Sequence, residues 1–361
     1  MESIFNYTED ELLELLINNG FKKYNKDQII DWIYKKKVYD FDMMSNLSKN
    51  LIGFLKERFE IKLLTIETFE GSIDTKKYLL KLEDGNKIEC VLMFHDYGKS
   101  LCVSTEVGCN MGCAFCESGR LKKVRNLSTS EMVLELLTIE NDINSRIDNI
   151  VVMGIGEPFD NYENFEKFIS ILTNPKMVEL GSRKITVSTC GLVPKIYEFA
   201  DMKTQVNLAI SLHAPSDELR DKLMPINKRY KINELIEAIK YYIAKTNRRV
   251  TIEYIMIKNV NDSVKCAQEL VRLLKGMLVY VNIIPYNETE NNDFKRSDNV
   301  QIKEFYDILI NSGINATIRR EMGSGVSAAC GQLRAKSYKE ELWKHTIKQI
   351  QVELEAIMKI V

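Results

Sequence analysis

The sequence lacks any stretch approaching the ~20 uninterrupted apolar residues that a membrane-spanning helix requires. It also lacks a secretory leader, because Met1 to Asp10 carries acidic residues where a leader has a basic segment and then an apolar one. A cytoplasmic location with no membrane partner is therefore expected. An excess of one charge is missing too: 50 Lys+Arg face 51 Asp+Glu, so the total does not announce a nucleic-acid partner. Local basic clusters exist, such as Lys35 to Lys37, Arg120 to Arg125 and Arg319-Arg320, and each reads equally well as a solvated face balanced by nearby acids. Eight cysteines in 361 residues are too sparse for a disulfide scaffold and are expected to be thiols. No internal repeat and no low-complexity segment is present.

What is present is an ordered alternation. Thr8 and Glu11 form a capping box ahead of Leu12, Leu13, Leu15 and Leu16, and Gly20 supplies a stop. Gln28 to Lys37 and Lys49 to Phe59 continue in helical period. Lys77 to Leu82 and Lys87 to Phe94 flank a Glu-Asp-Gly-Asn turn and predict a β-hairpin. From about residue 100, β-rich runs at Leu101–Thr105, Ile150–Met153, Lys184–Ser188, Val206–Leu212, Val250–Ile257, Val279–Pro285 and Asn315–Arg319 alternate with amphipathic helical stretches. That order predicts an α/β fold with a parallel sheet, open or closed into a barrel, whose reactive residues stand just past the C-terminal strand ends. Ser337 to Val361 reads as a final helix.

Cys109, Cys113 and Cys116 crowd into a glycine-containing loop after the first of these strands. Structural zinc usually takes four ligands in paired Cys-x2-Cys units, and no partner pair exists elsewhere. A 4Fe-4S cluster held by three thiolates leaves one iron open, where S-adenosylmethionine (SAM) can chelate. The Cys-x3-Cys-x2-Cys spacing, with Phe115 before the last cysteine, is the radical SAM signature. Further strand ends fit a SAM cradle: Gly154-Ile155-Gly156-Glu157-Pro158, Ser188, Ser211-Leu212-His213 and Asn287. Glycines admit a close approach, and hydroxyl and amide groups can meet ribose and carboxylate. Cys102 and Cys330 are two further thiols close to this chemistry, although either alone would pass as an inert buried residue. On its pattern alone Glu89 is an exposed strand residue.

These residues assembled, the chain resembles the RlmN/Cfr family of radical SAM RNA methyltransferases. The matching segments are 101 to 116, 152 to 158, 185 to 191, 211 to 215 and 319 to 334, within a likeness running from about residue 20 to 336. The resemblance implies a partial (β/α)6 radical SAM barrel at 99–336, a small N-terminal helical domain at 1–60 that helps grip RNA around Trp32, Tyr34 and Lys35 to Lys37, a β-hairpin linker at 61–98 and a C-terminal helix at 337–361. It implies two SAM per turnover, with Cys330 taking a methyl group from one by displacement. The second SAM, reduced by the cluster, yields a radical that activates the S-methyl group for addition to an adenine carbon. Cys102 then forms a transient disulfide with Cys330 to release product, and Glu89 accepts the ring proton. The implied SAM contacts are Gly156, Glu157, Ser188, Ser211, Leu212, His213 and Asn287.

The implied substrates are 23S rRNA and tRNA beside the anticodon, methylated at adenine C2. C8 methylation of the same rRNA adenosine is the alternative, and a non-catalytic iron-sulfur RNA-binding module a remote one. Flavodoxin or ferredoxin is the expected electron donor to a monomeric chain. Glu117 departs from the family pattern, where a small residue more often follows the last cysteine, and the tail after Arg334 is longer than usual.

Overall fold

The computed structural model describes residues 1–120, 122–289, 292–320 and 333. Cys330 and the expected C-terminal helix lie outside the described residues. Three helices open the chain: α1 (Glu9–Asn18), α2 (Lys23–Ile30) and α3 (Lys49–Arg58). The capping box of α1 is formed, with the Glu11 N–H donating to Thr8 Oγ1 at 3.3 Å and the Thr8 N–H to Glu11 Oε2 at 2.9 Å. The helical run expected from Gln28 to Lys37 changes winding partway: Asp31–Lys35 is a π-turn closed by Lys36 N–H to Asp31 O at 2.9 Å.

A single ten-stranded sheet follows, and its spatial order repeats its chain order. Its strands are β1 (Thr65–Gly71), β2 (Thr75–Lys81), β3 (Lys87–His95), β4 (Gly98–Val103), β5 (Asn149–Val152), β6 (Ile185–Thr189), β7 (Asn207–Ser211), β8 (Val250–Met256), β9 (Val279–Pro285) and β10 (Ala316–Ile318). Pairs from β1 to β4 are antiparallel. Pairs from β4 to β10 are parallel, as in a radical SAM barrel. The expected hairpin is therefore hydrogen-bonded into the barrel sheet, and β1 joins it as an unanticipated edge strand.

The crossovers are helical: α4 (Thr129–Asp142), α5 (Tyr162–Thr173), α6 (Val193–Asp201), α7 (Asp217–Leu223) with α8 (Ile232–Thr246), α9 (Val264–Leu274) and α10 (Asn299–Asn311). Strands such as β7 bury Leu208, Ala209 and Ile210 in succession, so the parallel part of the sheet is covered on both faces. One apolar core runs from the N-terminal helices through the barrel, from Phe5, Leu16 and Leu51 to Phe165, Ile210 and Phe305. No helix among the described residues is long and apolar enough to cross a membrane.

The N-terminal helices are docked by charge as well as by apolar packing. Lys35 pairs with Glu179 and Lys37 with Glu140, while Lys36 pairs with Asp31 and lies 3.8 Å from the Trp32 ring centroid. Tyr34 is buried. Two lysines of the basic patch pair with acids of the barrel side and the third with a neighbouring aspartate and a ring, while Lys35 and Lys36 remain exposed at the surface.

Candidate active site

The C-terminal strand ends meet at a cavity of about 380 Å³. Two glycines set its floor. A Cβ on Gly154 would stand 2.6 Å from Val103 O and 2.9 Å from Ser104 N, because the Gly154 N–H donates to Val103 O at 3.0 Å. Gly156 has φ +110° and passes over Glu106 and Thr105. Behind this turn, Lys123 pairs with Glu106 at 2.6 Å and Asp160 at 2.7 Å. Burial pushes the Glu106 carboxyl up to about 7, against the pull of Lys123.

The cysteine loop enters from β4. Gly108 and Gly112 both adopt positive φ, letting the loop turn back. It is held from outside: the Ala114 N–H donates to Leu223 O at 2.9 Å, and Asn292 Nδ2 donates to Ala114 O at 2.7 Å. Glu117, the residue that departed from the family pattern, is buried and accepts a hydrogen bond from Thr289 Oγ1 at 2.6 Å. Cys109, Cys113 and Cys116 all line the cavity. Burial pushes the Cys109 thiol up to about 12 and raises Cys113 as well, with the neighbouring cysteines adding to each shift. Bound cationic metal reverses that preference and favours thiolates.

Among the described residues no three His, Cys, Asp or Glu side chains converge on one metal ion. Three thiols facing one cavity fit a multi-iron cluster, in which each thiolate takes a different iron. Cys190 also lines the cavity, but Glu157 engages it: Glu157 accepts the Cys190 N–H at 2.7 Å and a hydrogen bond from its side chain.

Of the expected SAM contacts, Gly156, Glu157, Ser188, Ser211, His213 and Asn287 line this cavity. Leu212 does not; its side chain is in the core, its N–H donates to Glu253 O and its carbonyl accepts from Arg220 Nε. Ser188 and Ser211 stand on adjacent strands with hydroxyls 3.2 Å apart. His213 has φ +58° and its ring meets Phe115 edge-on at 4.9 Å. Its Nδ1 accepts the Ile255 N–H at 3.1 Å, which leaves the proton on Nε2. Burial, aided by Arg220, lowers its pKa to about 3, so the ring is neutral.

Sequence reasoning passed over Arg220. Its fully buried guanidinium donates to Cys190 O at 2.6 Å, Ser211 O at 3.2 Å, Leu212 O at 3.1 Å and Asn227 Oδ1 at 3.1 Å. It therefore ties the ends of β6 and β7 together directly beneath the expected SAM contacts. The signal available in the sequence was slight, since Asp-Glu-Leu-Arg-Asp-Lys-Leu reads as an exposed helix.

Cys102 is 7% exposed on β4 and lines the cavity, in register with Val91 on β3. Glu89, expected on pattern alone to be exposed, is 3% exposed and paired at 3.1 Å with Lys77, itself 2% exposed. The cross-strand lysine allows that burial. Cys330 lies outside the described residues, but Arg319 and Arg320, which lead toward it, line the same cavity.

The fold and the thiol loop define a radical SAM enzyme, and residues 103–273 match the model of the radical SAM superfamily. Residues 3–61 match the ribosomal RNA large subunit methyltransferase N-terminal domain. A probable dual-specificity RNA methyltransferase RlmN of Spiroplasma citri is 53% identical over 93% of this chain and 98% of its own. One of the same name from Acholeplasma laidlawii is 52% identical over 92% and 99%. A crystal structure of a radical SAM methyltransferase from Sphaerobacter thermophilus superposes with a TM-score of 0.87 at 42% identity, covering 92% of this chain and 99% of that one. The chain belongs to the RlmN family of radical SAM RNA methyltransferases.

Proposed function

We propose that the protein methylates C2 of adenosine in 23S rRNA and in tRNA beside the anticodon, through an S-methylcysteine on Cys330 and with two SAM per turnover. The observation that carries this reading is the position of Cys102, a thiol facing the same cavity as Cys109, Cys113 and Cys116. A radical generator alone needs only the triplet, and an iron-sulfur RNA-binding module needs no further thiol. A transferase that links itself covalently to RNA needs one to break the link.

The cluster, when bound, supplies the electron that turns SAM into a hydrogen-abstracting species, and Cys109, Cys113 and Cys116 would hold it. Gly156, Glu157, Ser188, Ser211, His213 and Asn287 would seat SAM. Ser188 and Ser211 offer hydroxyls, and His213 offers an Nε2–H that stays protonated without charge. Leu212 supports its neighbours from the core. A thiolate at Cys330 takes the methyl group by displacement. Once the adduct has given up one electron, Glu89 takes the ring proton. The Cys102 thiolate then attacks the Cys330 sulfur, so that an S–S bond forms as the C–S bond breaks. The electron pair leaves with the carbon, which takes up a proton to become the new methyl group. Arg319 and Arg320, at the cavity, would meet the RNA beside the reacting base, and the exposed lysines around Trp32 would help to grip it further away. The dual specificity in the relatives' name favours two RNA substrates, and the segments Gly-Ile-Gly-Glu-Pro and Arg-Arg-Glu-Met-Gly resemble the C2 branch more than the C8 branch. A monomeric, cytoplasmic chain served by flavodoxin or ferredoxin completes the reading.

Anaerobic incubation with methyl-labelled SAM and a reductant, followed by mass spectrometry of digested rRNA and tRNA, should give 2-methyladenosine from both. Only 8-methyladenosine would move the reaction to C8, and no methylated adenosine from cluster-loaded protein would refute the methyltransferase chemistry. Cys102→Ala should trap a protein–RNA adduct, and free product at the native rate would remove its assigned role.

A further inference from the structure

The ion pair beside Cys102 has a geometry that the roles above do not use. Lys77 on β2 is in register with Val91 on β3, and Val91 with Cys102 on β4, so the three form one row across adjacent strands. All three line the cavity. Glu89 lies two residues from Val91 on the same face of β3, which makes it the diagonal neighbour of Lys77. The two side chains meet at 3.1 Å with exposures of 2% and 3%. Ser104 Oγ donates to the Glu89 carbonyl at 2.7 Å, fixing the backbone from which the carboxylate projects.

Burying an isolated carboxylate favours its protonated form, and a protonated acid cannot accept another proton. A buried ion pair that lacks one partner is strongly disfavoured, so the remaining group sheds its charge or moves. We propose that Lys77 is a positioning residue for product release. Its ammonium pairs with the buried Glu89 carboxylate and holds it in place on the strand next to that of Cys102. The inference rests on the proposed roles of Glu89 and Cys102. In the step it serves, the ring C–H bond breaks, the electron pair stays with the ring and the proton passes to a Glu89 oxygen. Lys77 retains its own proton throughout.

The test uses the full chain with its cluster, SAM and an RNA substrate, and follows three quantities: 5′-deoxyadenosine formed, covalent protein–RNA adduct, and methylated adenosine released. Lys77→Met should form 5′-deoxyadenosine and adduct as the native protein does, while release of methylated adenosine falls about a hundredfold, the lower end of a general-base contribution. Adduct should therefore accumulate. Lys77→Arg preserves the charge and should restore release to within about threefold. Native release from Lys77→Met overturns the inference. So does loss of 5′-deoxyadenosine in step with methylation, which marks a general structural effect, and so does a Lys77→Arg protein that stalls as Lys77→Met does, which would require the lysine to exchange its proton. Failure of the native protein to methylate RNA would instead strike the underlying function.

Discussion

Replacing Arg220 by methionine keeps the length of the side chain and withdraws every hydrogen bond its guanidinium makes to Cys190, Ser211, Leu212 and Asn227. The Leu212 carbonyl keeps a second donor in the Ala214 N–H at 2.8 Å, so the loss falls on the others. Each buried acceptor left without a donor costs about 1–3 kcal/mol. Against this, burial lowers the pKa of Arg220, so its charge is costly to hold and its removal returns part of the loss. Breaking one side of a buried polar network typically costs about 3–5 kcal/mol, and the lower end, about 3 kcal/mol, is expected here. At roughly 2.1 cal/mol/K of unfolding entropy per residue, a chain of 361 residues shifts by about 1.3 °C per kcal/mol, so the melting temperature should fall by roughly 4 °C. Because β6 and β7 separate where Ser188 and Ser211 stand, SAM affinity should fall as well. Circular-dichroism melting and equilibrium dialysis with labelled SAM would measure both. A melting temperature within about 2 °C of the native one would refute the claim that Arg220 holds these strand ends together.

Two other perturbations follow from named contacts. Gly154→Ala places a methyl group against the Val103 and Ser104 backbone, which cannot yield as a side chain would, and should destabilise by about 2–3 kcal/mol; Gly53→Ala, in open space on α3, should be neutral or stabilising by up to about 1 kcal/mol. Equal melting temperatures for the two variants would contradict the contact geometry. Burial lowers the His213 pKa to about 3 when folded, against about 6.5 for an imidazole in water, so the unfolded chain binds the extra proton between those values. Stability is therefore lost as pH falls, by about 1.4 kcal/mol per pH unit from this group. In metal-free protein, His213→Gln should flatten the dependence of stability on pH between about 6.5 and 4.5, and an unchanged slope would count against a buried neutral imidazole.

Legibility in the sequence followed how locally each feature is determined. The α1 capping box needs only Thr8 and Glu11, and the barrel strands only their apolar runs, so both were readable. The cysteine triplet is equally local. The edge strand β1 was missed because most of its residues are exposed, leaving little alternation to detect. Glu89 was misjudged because its burial depends on Lys77, on another strand, and Arg220 because the carbonyls it binds, at the ends of two strands, lie eight to thirty residues away. The basic run at Lys35 to Lys37 is a surface, as its charge suggested, but the acids that receive two of its members stand beyond residue 139 and were not legible locally.

The clasp on the cysteine loop has a temporal side. Thr289 reaches Glu117 across 172 residues of chain, and Asn292 reaches Ala114 across 178. A ribosome delivers Cys109, Cys113 and Cys116 long before it delivers either partner, and contacts so distant in sequence close late in folding. Until then the triplet lacks its outer fastening. The interval in which the thiols are most open to incoming iron and sulfide is thus written into the order of synthesis, and the last strands of the barrel seal what the first strand began.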